Sequence, residues 1–437
     1  MPIPRRNPHD RDILRLAVPA LGDLASEPLY LLADTAIVGH LGTTALAGVA
    51  VASTLLATGF AFFIVLAYGT TAAVARAVGR GDERAASAHT VAALWLAVGV
   101  GAVLAVSGVA FAGPLVRILA DDADVAAAGI TFLRISALGG PAILVSLVCS
   151  GFLRGHQDTR TPFVVTLSAN ATNLAVEIVL VFVLHLGVAG SALATVLCQY
   201  GAAIAFLALV GPRLAGTPKR PTAPAVRSVA STSGALLVRT ASLRAALLAA
   251  TAVAARIGTV ELAAYQVGFG VLNLLALLLD AFAIAAQALV GRHLGAGDPE
   301  AARAASRRMV QLSMVSGVVL AVVVALARYP LARLFSSDPE VVAAAAMSLL
   351  AVAAMQPLNA YVFVLDGVLI GAGDHRFLAW AGIVVNVVVF IPAVIAVLPL
   401  GAGLAGLWAA IAVLEAGRGV ANGLRYHGPR WTTVGAA

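Results

Sequence analysis

The stretch GFLRGHQDTR, residues 151–160, returns 216 residues later as GVLIGAGDHR, residues 367–376. Gly151, Leu153, Gly155, Asp158 and Arg160 find their counterparts in Gly367, Leu369, Gly371, Asp374 and Arg376. The same offset holds further out. Arg76, Gly79, Gly81 and Asp82 recur as Arg292, Gly295, Gly297 and Asp298. Gly42-Thr43 recurs as Gly258-Thr259, Leu46-Ala47 as Leu262-Ala263, and Thr35-Ala36 as Thr251-Ala252. No gap is needed anywhere, so the chain is built from two copies of one long unit.

What kind of unit follows from composition. Of the 437 residues 61% are hydrophobic and 11% charged, against roughly a quarter charged in a soluble domain. Runs such as 92–116, 163–184 and 381–400 reach the ~20 apolar residues that a hydrocarbon core demands. Alternating strand-like segments are absent and Ala and Leu abound, so the spans are predicted to be helical. The 42 glycines suit helices that pack closely in lipid. Cys149 and Cys198 sit in apolar runs and read as small core residues.

The apolar pattern predicts twelve spans: 13–38, 45–75, 88–113, 124–152, 161–184, 187–211, 228–255, 261–290, 306–328, 340–369, 378–399 and 402–424. With the N-terminus cytoplasmic, 20 of the 28 basic residues fall on the cytoplasmic side, Arg5 and Arg6 among them. Only Arg117, Arg256, Arg328 and Arg333 fall on the other. Six spans per copy is even, so both copies enter the membrane in the same direction. The expected fold is all-α and integral to the membrane, with two parallel six-helix repeats around a central cleft. The predicted organisation is an N-terminal lobe over 1–211, a cytoplasmic linker over 212–227 and a C-terminal lobe over 228–437. The linker PRLAGTPKRPTAPAVR holds four prolines and four basic residues, an extended strap. Net charge of +7 is assigned to the membrane surface and not to nucleic acid.

Carboxyl groups at membrane depth are costly and mark function by default. The first span carries Asp23, Glu27 and Asp34 within about 40° of one another, at 100° per residue. That face requires a wet cavity or a partner helix. The fifth span carries Asn170, Asn173 and Glu177 on one face, and the sixth Ser191, Thr195 and Gln199 at intervals of four. By helix rise, Asp34, Glu177 and Thr195 lie about 6, 10 and 12 Å from the outer ends of their spans. Three helices thus bring polar groups to one level; the alternative is a hydrogen-bonded packing cluster. The eighth span carries Gln266, Asn273, Asp280 and Gln287 spaced by seven, read as cleft wall or as a polar network between helices. Asp366 reads as a residue starting a loop. Arg239 occupies the repeat position of Asp23, and a pairing of the two as an inter-lobe gate is expected, with a partner inside its own lobe as the alternative. Pro19 and Pro28 interrupt the first span and weaken it locally, as a bending point or a static kink.

These residues resemble the multidrug and toxic compound extrusion (MATE) family, in its DinF-like branch. The resemblance is carried by PALGDLASEPLYLLADTAIVGHLGTTALAG in the first span, by VGRGD, GFLRGHQDTRTP, LVGRHLGAGD and DGVLIGAGDHR in the loops, and by AAYQVGFGVLNLLALLLDAFAIAAQALVG in the eighth span. It covers essentially the whole chain. It implies that Pro19 is the bending proline and Asp34 the coupling aspartate, with Asn173, Glu177 and Thr195 completing the ion site. Glu177 stands where an aspartate is frequent. Residues 228–255 contain no acid, in contrast to relatives with a glutamate there.

The function so implied is secondary active efflux. An organic, cationic or amphipathic compound is exchanged for H⁺ or Na⁺, with Glu27, Gln199, Gln266, Asn273, Asp280 and Gln287 lining the substrate path. No cofactor or bound metal beyond the coupling ion is expected. The partners are a small molecule and the lipid bilayer, the state monomeric, the location the inner (plasma) membrane with both termini cytoplasmic. A lipid-linked oligosaccharide flippase shares the architecture but calls for a strongly basic cavity. Here the intramembrane basic residues are Arg134, Arg239, Arg244 and Arg418, against several acids. An enzyme using Asp121, Asp122 and Asp124 for Mg²⁺-diphosphate chemistry lacks a second motif and a nucleophile.

Overall fold

The computed structural model describes residues 8–433; the basic residues Arg5 and Arg6 and the last four residues lie outside it. Among the described residues the chain is helical throughout, without strands. In the first half the helices are α1 (Pro8–Gly39), α2 (Thr43–Ala61), α3 (Val65–Gly79), α4 (Glu83–Arg117), α5 (Ala123–Ala137), α6 (Gly140–Gly155), α7 (Arg160–Ile178) and α8 (Gly187–Val210). The second half holds α9 (Ala223–Ile257), α10 (Thr259–Gly295), α11 (Pro299–Phe335), α12 (Pro339–Gly371), α13 (His375–Gly382), α14 (Ile391–Ala396) and α15 (Gly403–His427). A 3₁₀ turn joins α2 to α3, and π-helical turns follow α7 over Val179–Val183 and α13 over Ile383–Phe390.

Among the described residues ten helical stretches are long and apolar enough to cross a membrane, and α5 with α6, bent by 47°, makes an eleventh when taken as one span. The 32-residue α1 makes the twelfth predicted span; its apolar stretch is diluted by Asp23, Glu27 and Asp34. Each of the twelve sequence segments therefore coincides with helix. Val103, Leu248 and Leu326 stand 65%, 70% and 78% exposed on these helices, which suits hydrocarbon as the surrounding solvent.

The repeat has a local physical basis in its helix starts. Asp82 caps α4 by accepting from the Ala85 N–H at 2.9 Å, and Asp298 caps α11 by accepting from Ala301 at 2.8 Å. Asp122 caps α5 and Asp338 caps α12, each accepting from the amide groups two and three residues on. Asp122 of the acidic Asp121–Asp124 cluster is thereby accounted for as a helix cap. Gly81 and Gly297 precede these starts at φ 73° and 74°, a left-handed conformation that glycine adopts without penalty.

The stretch that carries the repeat also sets the packing. Gly151 lies so close to α3 that an added Cβ would meet the Ala67 carbonyl oxygen at 2.6 Å; at its counterpart Gly367 the Ala283 oxygen would be 2.4 Å away. Gly155 against Val74 and Gly371 against Gln287 repeat the contact one turn on. Two small residues four apart let helix backbones approach closely, the attractive device open to helices in lipid.

The copies differ at two breaks. α2 and α3 are separate, while their counterpart α10 is continuous. α5 and α6 bend at Gly139-Gly140, while their counterpart α12 carries Met355-Gln356 there and runs unbroken through Pro357. Paired glycines remove the side-chain restraint that holds a helix straight.

By its contacts the chain forms two compact units. One is Val18–Ser233, here the N-unit; the other, the C-unit, contains the residues from Gly234 on together with the start of α1 up to Ala17. The unit edges are themselves one repeat period apart. The predicted linker 212–227 and the first turns of α9 lie within the N-unit, where Val229 joins the core formed by Leu66, Leu144, Phe152 and Phe206. The C-unit core is built around Tyr265, Leu349, Phe390 and Trp408.

Candidate functional site

Helices α1, α3, α6, α7 and α8 of the N-unit enclose a cavity of about 260 Å³. Asp23, Glu27 and Tyr30 line it from α1, Ser150 and Arg154 from α6, Asn170 and Asn173 from α7, and Thr195, Cys198 and Gln199 from α8. The acidic face predicted for the first span therefore does face a cavity. Glu27 is exposed on the cavity side. Asn170 donates to the Ser26 carbonyl at 3.4 Å and ties α7 to α1. Gln199 lies against Gly139 at the α5–α6 break; a Cβ at Gly139 would meet its Oε1 at 1.8 Å.

Behind this wall lies a second layer. The Tyr30 hydroxyl donates to Asp34 Oδ1 at 3.2 Å, and its oxygen is 3.4 Å from Thr195 Oγ1. Asp34 is 7% exposed and Glu177 fully buried. Glu177 neighbours Asp34 and Ser191, yet neither of its oxygens has a hydrogen-bond partner among the described residues, and the buried Asn173 Oδ1 also lacks one. Two carboxyl groups thus lie in one buried neighbourhood, the Tyr30 phenol bonded to Asp34 and the Ser191 and Thr195 hydroxyls close by. The helix changes to a π-helical turn at Val179, two residues after Glu177; such wide turns release the regular ladder and frequently mark functional positions. Of the predicted ion site, Asp34, Glu177 and Thr195 converge, and Asn173 borders the cavity beside them. Pro19 sits inside the continuous α1, two residues past the point where α1 leaves the C-unit for the N-unit.

The predicted pairing of Asp23 with Arg239 is corrected. Asp23 accepts from Arg154 Nη2 at 2.6 Å, with both side chains about nine-tenths buried. Arg239 pairs instead with Asp366. Each charge is satisfied within its own unit, by an opposite charge on a neighbouring helix. Asp366 is correspondingly no loop residue. It is a buried hub on α12 that takes Arg239, Arg418 Nη2 at 2.7 Å and Asn422 Nδ2 at 2.8 Å, while Arg418 also grips Glu415 at 2.9 Å. The two units carry related arrangements of opposite polarity: an acid on α1 with a guanidinium on α6, and a guanidinium on α9 with an acid on α12. Around them Ser26 and Asn170 recur as Ser242 and Asn386, and Asn386 donates to Ser242 Oγ at 2.9 Å.

The predicted stripe of α10 does not form one surface. Gln266 and Asn273 are exposed, Asp280 is half-buried, and Gln287 is 1% exposed beneath Gly371 of α12. Gln287 is packed between helices and lines no open path. Three contributors were missed in the sequence. Tyr30 had a signal, since it stands one turn before Asp34 on the same helix face. Arg154 lies inside the repeated stretch and reads as a surface charge, and Arg418 offers no local signal for its partner.

The MatE family model matches residues 19–179 and 238–395, most of both copies. Protein DETOXIFICATION 44, chloroplastic, of Arabidopsis thaliana is 32% identical over 95% of this chain and 81% of its own length. DNA damage-inducible protein F of Escherichia coli (strain K12) is 30% identical over 83% and 81%. A solved MATE structure in the bent conformation superposes with a TM-score of 0.87 at 20% identity, covering 96% of this chain and 94% of the other. The chain belongs to the MatE family and is a multi-pass membrane transporter of small molecules, not an enzyme.

Proposed function

We propose that this protein is an antiporter. It exports an organic, cationic or amphipathic compound across the plasma membrane in exchange for H⁺ or Na⁺, acting as a monomer with both termini cytoplasmic. The observation that carries the reading is the two-layered site: an accessible cavity bearing Glu27, backed by Asp34 and Glu177 around the Tyr30 hydroxyl. Names of relatives support a drug-like substrate; several are called probable multidrug resistance protein NorM, among them one from Thermotoga maritima at 25% identity.

The coupling ion neutralises Asp34, with Glu177, Asn173 and Thr195 supplying further oxygens. Neutralisation removes the attraction of this end of the cavity for a cation. It also loosens the Tyr30–Asp34 bond, and α1 then rearranges about Pro19, where the missing N–H leaves the helix weakest. Exchange requires that ion and substrate compete through this one element. An oligosaccharide flippase is less well supported, since Arg154, the guanidinium that lines the cavity, is paired with Asp23. The test is transport in proteoliposomes under an imposed pH or Na⁺ gradient. Asp34→Asn is expected to insert normally and to lose gradient-driven export; full export by this variant refutes the assignment, and the gradient that drives wild type identifies the ion.

A further inference from the structure

On the surface of the N-unit, α4, the turn before α3, the strap and the first turn of α9 line an apolar groove of about 780 Å³, which shares no lining residue with the cavity described above. Phe63, Leu96, Val100 and Val103 form one wall, and Pro221 and Val226 the other. Gly99 lies between them with open space where its side chain would be. The groove extends about 12 Å along α4 from Trp95 to Val103, at 1.5 Å per residue.

One end of the groove is fixed by two hydrogen bonds between α4 and the strap. Trp95 Nε1 donates to the Lys219 carbonyl at 2.8 Å, and Ser87 Oγ donates to the Arg213 carbonyl at 3.3 Å. An indole that is apolar on one side and hydrogen-bonded on the other belongs at the headgroup level. The bonds hold the strap across α4, with Lys219 and Arg220 exposed at the mouth. Residues 212–227 contain four basic side chains and no acid. Their charge has no acidic partner within the strap, and Arg220 lines the groove.

We infer that this groove is a binding site for an anionic phospholipid of the leaflet on the strap's side. The acyl chain lies over Gly99 and the phosphate between Lys219 and Arg220. The site is independent of which ion drives export. It gives the junction between the two repeats a lipid contact that its prolines and basic residues suit.

The experiment is native mass spectrometry of the full-length protein in detergent, titrated with phosphatidylglycerol or with phosphatidylcholine of the same chains. Wild type is expected to prefer phosphatidylglycerol by roughly thirtyfold, the ratio that two basic residues at an anionic surface produce. Lys219→Glu with Arg220→Glu removes the preference. Gly99→Leu, a favourable change within a helix, fills the groove and weakens binding of both lipids. Photo-crosslinking of phosphatidylglycerol to wild type, which needs no variant, should label residues 95–104 and 219–226. Equal binding of the two lipids by wild type, unchanged binding in both variants, or labelling confined to other segments overturns the proposal.

Discussion

A single hydroxyl organises the deepest part of the N-unit. Tyr30 stands 3.2 Å from Asp34 and 3.4 Å from Thr195, so Tyr30→Phe removes the link between α1 and α8 and leaves the ring in place. One hydrogen bond of about 1 kcal/mol corresponds to roughly fivefold. Export in proteoliposomes is expected to slow by that factor, with protein abundance unchanged. Asp23 and Arg154 present a different balance. Their pair is buried, and loss of one partner strands the other charge. Arg154→Ala is expected to lower stability by about 3 kcal/mol, seen as an earlier thermal unfolding transition. Asp23→Asn combined with Arg154→Gln should recover much of the loss, because no unpaired charge remains. Failure of the double variant to recover contradicts the pairing.

At the scale of helices, the contact between α10 and α12 depends on what is missing. Gly367 lies against backbone, with the Ala283 carbonyl 2.4 Å from where a Cβ would stand. Backbone cannot swing aside as a flexible side chain does. Gly367→Val is therefore expected to separate the helices and cost about 3 kcal/mol, the upper range for overpacking; thermal unfolding of the purified protein measures it. The matching change at Gly139 has a milder expectation, since its neighbour is the end of the Gln199 side chain. The sequence predicted all twelve helical segments because caps and apolar runs are local. It did not show the α5–α6 bend, because glycine pairs permit a bend without requiring one.

For the molecule as a whole, the two-fold repeat and the two compact units are offset. α1 begins in the C-unit and continues into the N-unit, and α9 does the reverse. The start of α1 is held in the C-unit by Asp10, which accepts from Arg308 Nε at 2.5 Å and Nη2 at 2.9 Å. At the repeat position of Asp10, α9 carries Val226, which packs on an apolar core instead. One attachment is ionic and the other apolar, so they respond differently to salt. Asp10→Asn is expected to destabilise the protein by about 1 kcal/mol at low ionic strength. The difference from wild type should shrink as salt is raised, since part of the pair is exposed. Denaturation at two salt concentrations checks this, and an unchanged difference counts against the ionic attachment.

The sequence alone determined the two copies, their helices, their membrane setting and the acidic face of the first span. These properties arise from neighbours in the chain, where a cap, an apolar run or a shared helix face acts over a few residues. It also indicated Asp34, Glu177 and Thr195, since depth along a helix follows from counting. Only the tertiary structure decided partners. Asp23 took Arg154 instead of Arg239, Asp366 became a hub for two guanidinium groups, and Gln287 was buried under Gly371. A buried charge is satisfied by whichever opposite charge packing brings within about 3 Å. That distance is set between helices far apart in the chain, where one repeat and its copy need not make the same choice.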